Sequence, residues 1–175
     1  MRLSREHRRR LKIATLAEEA LRAVAHHRGM EARDFSNAPE IAQAKQTIQN
    51  GLLELFTVKF HILFSIRKGD KHRLASFNGL EERFLAALGD AKAVESFTAY
   101  SENIAKYRDI NVVHVDEPEK VDAASAAGLR YPNLDEGAQY VICLHDIINK
   151  KGDGADRFEE LMAAAQTSWE NTQRN

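Results

Sequence analysis

The sequence predicts an all-α fold, an antiparallel helical bundle of about five to six helices. Three observations lead there. Apolar residues recur at three- and four-residue spacing through most of the chain. Ser, Asn and Gly stand where helix caps belong. No repeat, low-complexity tract or multi-strand alternation interrupts this pattern. At 175 residues the chain can build one domain with a real core and is short for two, so residues 1–175 are read as one helical domain.

The first helix is expected from Ser4 to Gly29, with Ile13, Leu16, Ala20 and Val24 inward. The second opens at Asn37, with Pro39 in its first turn and Glu40 completing a capping box. Its apolar face is Ile41, Ile48, Leu52, Leu55, Phe56, Leu63 and Ile66, and Gly69 stops it. A short third helix covers about Ser76 to Leu88, with Phe77, Leu80, Phe84 and Leu88. The fourth runs from about Ala91 toward Asn111 and turns Val94, Phe97, Ile104 and Tyr107 inward. Pro118 disfavours helix at Glu117, and 116–132 reads as a loop long enough to carry function. The fifth opens at Asn133 with Glu136 as a second capping box, buries Val141, Leu144 and Ile148, and ends at Gly152. The sixth follows Asp153 with Phe158, Leu161, Met162, Ala165 and Trp169. Short connections between amphipathic helices imply antiparallel neighbours.

Composition narrows the function. The chain is 43% hydrophobic and 29% charged with a net charge of −1, so it is no generic polyanion binder. Cys143 is the single cysteine, which excludes an intrachain disulfide and a Cys-rich zinc site. The basic N-terminus has no apolar stretch behind it and is not a secretory signal. Glu54, Lys59 and His61 interrupt the apolar run 52–66, whereas a membrane span needs about 20 mostly apolar residues. A soluble cytoplasmic protein is the expectation. Neither a Gly-rich phosphate loop, an H-E-x-x-H, a Cys/His ligand spacing nor a nucleophile elbow is present, so no cofactor and no metal are expected.

One segment stands out: Tyr107-Arg108-Asp109-Ile110-Asn111-Val112-Val113-His114-Val115-Asp116. Four Arg/His pairs in the chain have four to six residues between them: Arg2/His7, Arg22/His27, Arg67/His72 and Arg108/His114. Only Arg108 is followed directly by a polar Asp, and only this pair ends a long amphipathic helix before a loop. The segment resembles the R-x(4–6)-H motif of the HEPN superfamily, whose domain is an all-α bundle with the motif near a helix end. The continuation after His114 looks like the bacterial abortive-infection branch. The resemblance implies a metal-independent endoribonuclease of toxin or phage-defence type. It also implies a homodimer that assembles a composite site at its interface.

The residue chemistry suits that reading. Metal-free RNA cleavage needs a base for the 2′-OH, an acid for the leaving oxygen and positive charge at the phosphate. His114 has the side chain whose ordinary pKa, about 6.5, serves either proton role. Arg108 offers a permanent planar fork for phosphate oxygens. Asp109 would orient one of them, with Tyr107, Asn111 and Asp116 as supporting groups; the plainer reading is a helix-end Arg108 pairing with Asp109 or Asp116 and a His114 that caps carbonyls. Two chains would supply two copies of each. On an ideal helix, residues 108 and 114 lie about 120° apart around the axis and about 9 Å along it. Their convergence within one chain requires unwinding near Asn111.

Arg67, Lys68, Lys71 and Arg73 are candidate phosphate contacts, against the plainer reading of cations complementing a helix C-terminus. Arg8, Arg9, Arg10 and Lys12 read as a solvated face, His61 and His145 as core histidines, and Trp169 as core or interface. The expected partners are RNA, with tRNA as one candidate, a second copy of the chain and an antitoxin protein, without a membrane. Two alternatives stay open. One is a non-catalytic HEPN-like bundle binding a nucleotide, RNA or protein. The other is an unrelated helical adaptor.

Overall fold

The computed structural model of the chain describes residues 4–33, 39–64, 79–112 and 130–174. Among them every regular element is helical. These are α1 (Arg5–Glu31), α2 (Pro39–Phe64), α3 (Leu80–Leu88), α4 (Ala91–Tyr107), a π-helical turn (Arg108–Val112), α5 (Leu134–Asn149) and α6 (Gly154–Arg174).

Side chains close the helix ends. Ser4 Oγ accepts from the His7 N–H at 3.1 Å, Asp90 Oδ1 from Ala93 at 2.8 Å, and Asn133 Oδ1 from Asp135 and Glu136 at 3.0 and 3.3 Å. The expected box at Asn133 is only half made, because the Glu136 carboxylate accepts from Tyr140 Oη at 3.1 Å. The third helix starts at Leu80 and not near Ser76, because Gly79 before it is left-handed at φ 67°. The fifth ends at Asn149, short of Gly152, with Lys150 left-handed at φ 58°. Asn37, Ile66, Gly69, Ser76 and Phe77 lie outside the described residues.

The directions follow from contacts. Lys59 Nζ meets Glu19 at 2.6 Å and Lys45 Nζ meets Arg33 O at 3.2 Å, so α2 runs antiparallel to α1. Phe64 packs on Phe97 and Phe60 on Tyr100, which sets α4 antiparallel to α2. Phe97 meets Tyr140 while Tyr100 Oη donates to Asn133 O at 2.8 Å, so α5 runs back along α4. In the hairpin to α6, Asp146 Oδ1 accepts the Gly154 N–H at 2.6 Å. Helix α6 then lies parallel to α1: Arg157 pairs with Glu18 at 2.7 Å, Trp169 Nε1 donates to His26 O at 3.2 Å, and Arg33 pairs with Glu170 at 2.5 Å.

Helix α1 packs against α2, α5 and α6. It is therefore buried on several sides, and Ala17, Ala20, Ala23, Ala25 and Gly29 keep those backbones close. Helix α2 supplies bulk instead. Phe56, Phe60 and Phe64 stand at i, i+4 and i+8 and join Phe84, Phe97, Tyr100 and Tyr140 in one aromatic cluster, with ring centroids 4.5–6.5 Å apart. Such pairs contribute about 0.5–1.5 kcal/mol each beyond burial. Leu55, expected inward, is 42% exposed and lies at the rim of the α1–α2 seam beside Glu19, Arg22 and Lys59. His61 and His145 are buried as expected. Among the described residues no helix is long and apolar enough to cross a membrane.

Candidate functional site

Tyr100, Ile104 and Tyr107 share the buried face of α4. Directly after Tyr107 the helix widens into the π turn 108–112, which packs on both α4 and α2. A π turn bonds i to i+5 and rotates each residue by less than the α-helical 100°. It therefore re-aims the side chains of Asp109 and Ile110. The departure begins three residues before Asn111, where convergence of the motif required one. Arg108 Nε donates to Asp109 Oδ1 at 3.0 Å, and Nη2 bonds the same oxygen. The Arg108 side chain is 21% exposed and that of Asp109 35%. No other hydrogen bond to this guanidinium is formed among the described residues, so Nη1 is left for another acceptor.

Tyr107 supports this turn from below. It is buried, and its ring centroid lies 5.7 Å from that of Tyr131. Burial, with Tyr131 and Glu54 nearby, pushes its phenol up to about 12, so it stays protonated at neutral pH. The chain that returns at residue 130 is pinned to the same helix. Asn103 Nδ2 donates to Arg130 O at 3.0 Å, and Tyr100 Oη donates to Asn133 O at 2.8 Å. Helix α4 thus carries Arg108 and also holds the segment 130–133 beside it.

Of the residues singled out from sequence, Tyr107, Arg108 and Asp109 come together here. The backbone of Asn111 lies in the π turn. His114, Asp116, Arg67, Lys68, Lys71 and Arg73 lie outside the described residues. Arg8, Arg9 and Lys12 are exposed along α1, and Arg10 pairs with Glu6 at 3.2 Å, as a solvated face should.

Sequence reading missed a cleft of about 370 Å³ at the same end of the bundle. His27, Arg28 and Glu31 of α1 line it, with Gln46, Asn50 and Leu53 of α2, and Tyr131, Pro132, Leu134 and Asp135. Arg28 pairs with Asp135 across it. Gln46 Nε2 donates to Asn50 Oδ1 at 2.9 Å. His27 Nδ1 is buried without a hydrogen-bond partner, and burial is the chief cause of its lowered pKa. Tyr131 is 79% exposed and belongs both to the cleft and to the Tyr107 contact. These residues come from three separate stretches of chain, and no sequence signal joins them.

At the other end of α5, His145, Asp146 and Asp153 place one ligand atom each within 4.8 Å of one another. This is the best metal-ligating set among the described residues. Asp146 is already the cap of α6, and Asn149 Nδ2 lies 2.8 Å from His145 Nε2. The set is remote from Arg108 and takes no part there. Burial raises the Cys143 thiol, helped by Asp146, which leaves it a poor nucleophile at neutral pH.

Comparison of the chain with protein-family models, curated proteins and solved structures gives no match.

Proposed function

We propose that the chain is a metal-independent endoribonuclease of the HEPN type, acting in the cytoplasm as a homodimer. One observation carries the reading. The long helix α4 changes to a π turn at Arg108, and there Arg108 is held by Asp109 with its Nη1 edge available. π turns inside helices cluster at functional sites. A half-buried guanidinium with one edge fixed suits charge stabilisation at a phosphate. In this reading His114 moves the protons, Asp109 positions Arg108, and a second copy completes the site. RNA, with tRNA as one candidate, is the substrate. An antitoxin protein is the partner that would restrain the activity.

The experiment is direct. Wild-type protein, Arg108→Ala and His114→Ala are incubated with total RNA and tRNA in EDTA, and the cut ends are identified. The expected result is cleavage by the wild type alone, leaving 2′,3′-cyclic phosphate. Full cleavage by either variant would overturn the assignment of Arg108 and His114. If no protein cuts while light scattering still gives a dimer, the non-catalytic binding bundle becomes the better reading.

A further inference from the structure

The cleft that shares Tyr131 with the Tyr107 contact is unused by this chemistry, and its lining is specific. Its charges are one guanidinium, already paired, against the carboxylates of Glu31 and Asp135. That balance repels a phosphate. What remains is suited to a flat, uncharged ligand with hydrogen-bonding edges. Asn50 Nδ2 and Gln46 Oε1 lie outside their mutual bond and offer a donor and an acceptor. His27 also lines the cleft, but its Nδ1 is shut off from solvent and takes no part in binding there. Tyr131 presents an exposed ring at the same cleft. At about 370 Å³ the cleft lies near the lower end of ligand sites, which run roughly 300–1,000 Å³. That is room for one base and not for a dinucleotide.

We infer that this cleft is a nucleobase subsite in which Tyr131 stacks on one base while Asn50 and Gln46 read its edge. Its placement ties it to the motif. Tyr131 meets Tyr107, and Tyr107 immediately precedes Arg108. A strand whose phosphate lies at Arg108 can therefore set a neighbouring base against Tyr131. The identity of the ligand as part of an RNA strand rests on the ribonuclease reading; the chemistry of the cleft does not.

Adenosine, guanosine, cytidine and uridine are each titrated into the full chain, followed by calorimetry and by the tyrosine ring resonances. None carries a phosphate, so Arg108 does not contribute. The expected result is saturable binding of at least one nucleoside, equal in wild type and Arg108→Ala. Binding should weaken about tenfold in Tyr131→Ala, the scale of one base–aromatic stack. Asn50→Asp, which replaces a donor by an acceptor, should reorder the four nucleosides. Tyr131 and Asn50 are both exposed, so neither variant threatens folding. Absence of saturation with all four nucleosides, or unchanged binding in Tyr131→Ala, overturns the subsite. RNA cleavage separates the sources of the base. A new base preference at the cut in Asn50→Asp supports a strand-borne base, and an unchanged cut pattern beside altered nucleoside binding overturns it. If the wild type cuts no RNA, the ribonuclease reading fails alone and the nucleoside titration still decides the cleft.

Discussion

Arg108 and Asp109 are sequence neighbours that pair with each other in the first turn of the π segment, Arg108 Nε to Asp109 Oδ1 at 3.0 Å. The carboxylate fixes one edge of the guanidinium and so sets the direction of the other. In the ribonuclease reading, Asp109→Ala lowers kcat by about 10- to 100-fold, the scale of a misplaced catalytic group, with little change in KM. Asp109→Asn keeps an acceptor and recovers much of the loss. Arg108→Lys does not, because an ammonium lacks the fork. Steady-state kinetics on one RNA test this; wild-type kcat in Asp109→Ala would remove the positioning role.

Gly137 is where α5 passes nearest to the aromatic cluster. A Cβ there would overlap Tyr100 Oη and Phe56 Cζ, and both rings are buried. Gly137→Ala is expected to destabilise the fold by about 1–3 kcal/mol, although alanine favours helix over glycine. Urea denaturation measures it. Stabilisation would mean that the rings yield at no cost.

Trp169 fastens α6 to α1 through its bond to His26 O and its contact with Gly29. Trp169→Phe retains the ring packing and loses the donor, for an expected cost of about 1 kcal/mol. Trp169→Ala loses both and should cost about 2–3 kcal/mol, below the value for a fully buried tryptophan. Equal denaturation midpoints for the two variants would show that only the hydrogen bond matters.

Burial holds His26 and His27 below their ordinary value of 6.5, with Arg22 adding to the effect on His26. The unfolded chain then takes up protons that the folded chain does not, as pH falls through about 6.5. Stability should therefore fall on acidification from pH 7.5 toward 5.5. Glu18 acts in a lower window. Its hydrogen bond to Arg157 holds it below 4.5, so its stabilisation is present above that pH and lost as pH falls through the folded value. Thermal melts of wild type and His27→Gln check the upper window, where the variant should show the shallower slope. Parallel curves would exclude His27 as a contributor.

The helices were legible because their determinants are local. Ser4 and Asn133 cap as their positions suggest, and the spacing of Phe97, Ile104 and Tyr107 gives the buried face of α4. Leu55 was misjudged because α2 carries apolar residues over a wide arc. Which sector is covered depends on where α1 and α4 settle, and the periodicity of α2 alone does not contain that. Left-handed Gly79 delays the start of α3 and left-handed Lys150 ends α5, where side-chain patterns extend further.

At the candidate site, the sequence singles out Arg108 and Asp109 by their spacing to His114 and their polarity. The need for a break in the helix followed from geometry, but its form as a π turn beginning at Arg108 did not. The cleft was invisible, since His27, Asn50 and Tyr131 are far apart in sequence and each has an ordinary local explanation. Only tertiary packing makes them neighbours.

The parallel pairing of α6 with α1 has a practical consequence for protein engineering. With α1 and α6 pointing the same way, Ser4 and Arg174 come out at opposite poles of the molecule. A 27-residue helix such as α1 spans about 40 Å, so a peptide joining the two poles would need roughly 12 extended residues. Circular permutation with a short linker should therefore fail. A reporter attached after Arg174 emerges at the pole of the cleft and the π turn, where it would sense occupancy. One placed before Ser4 would stand at the far pole and serve as its control.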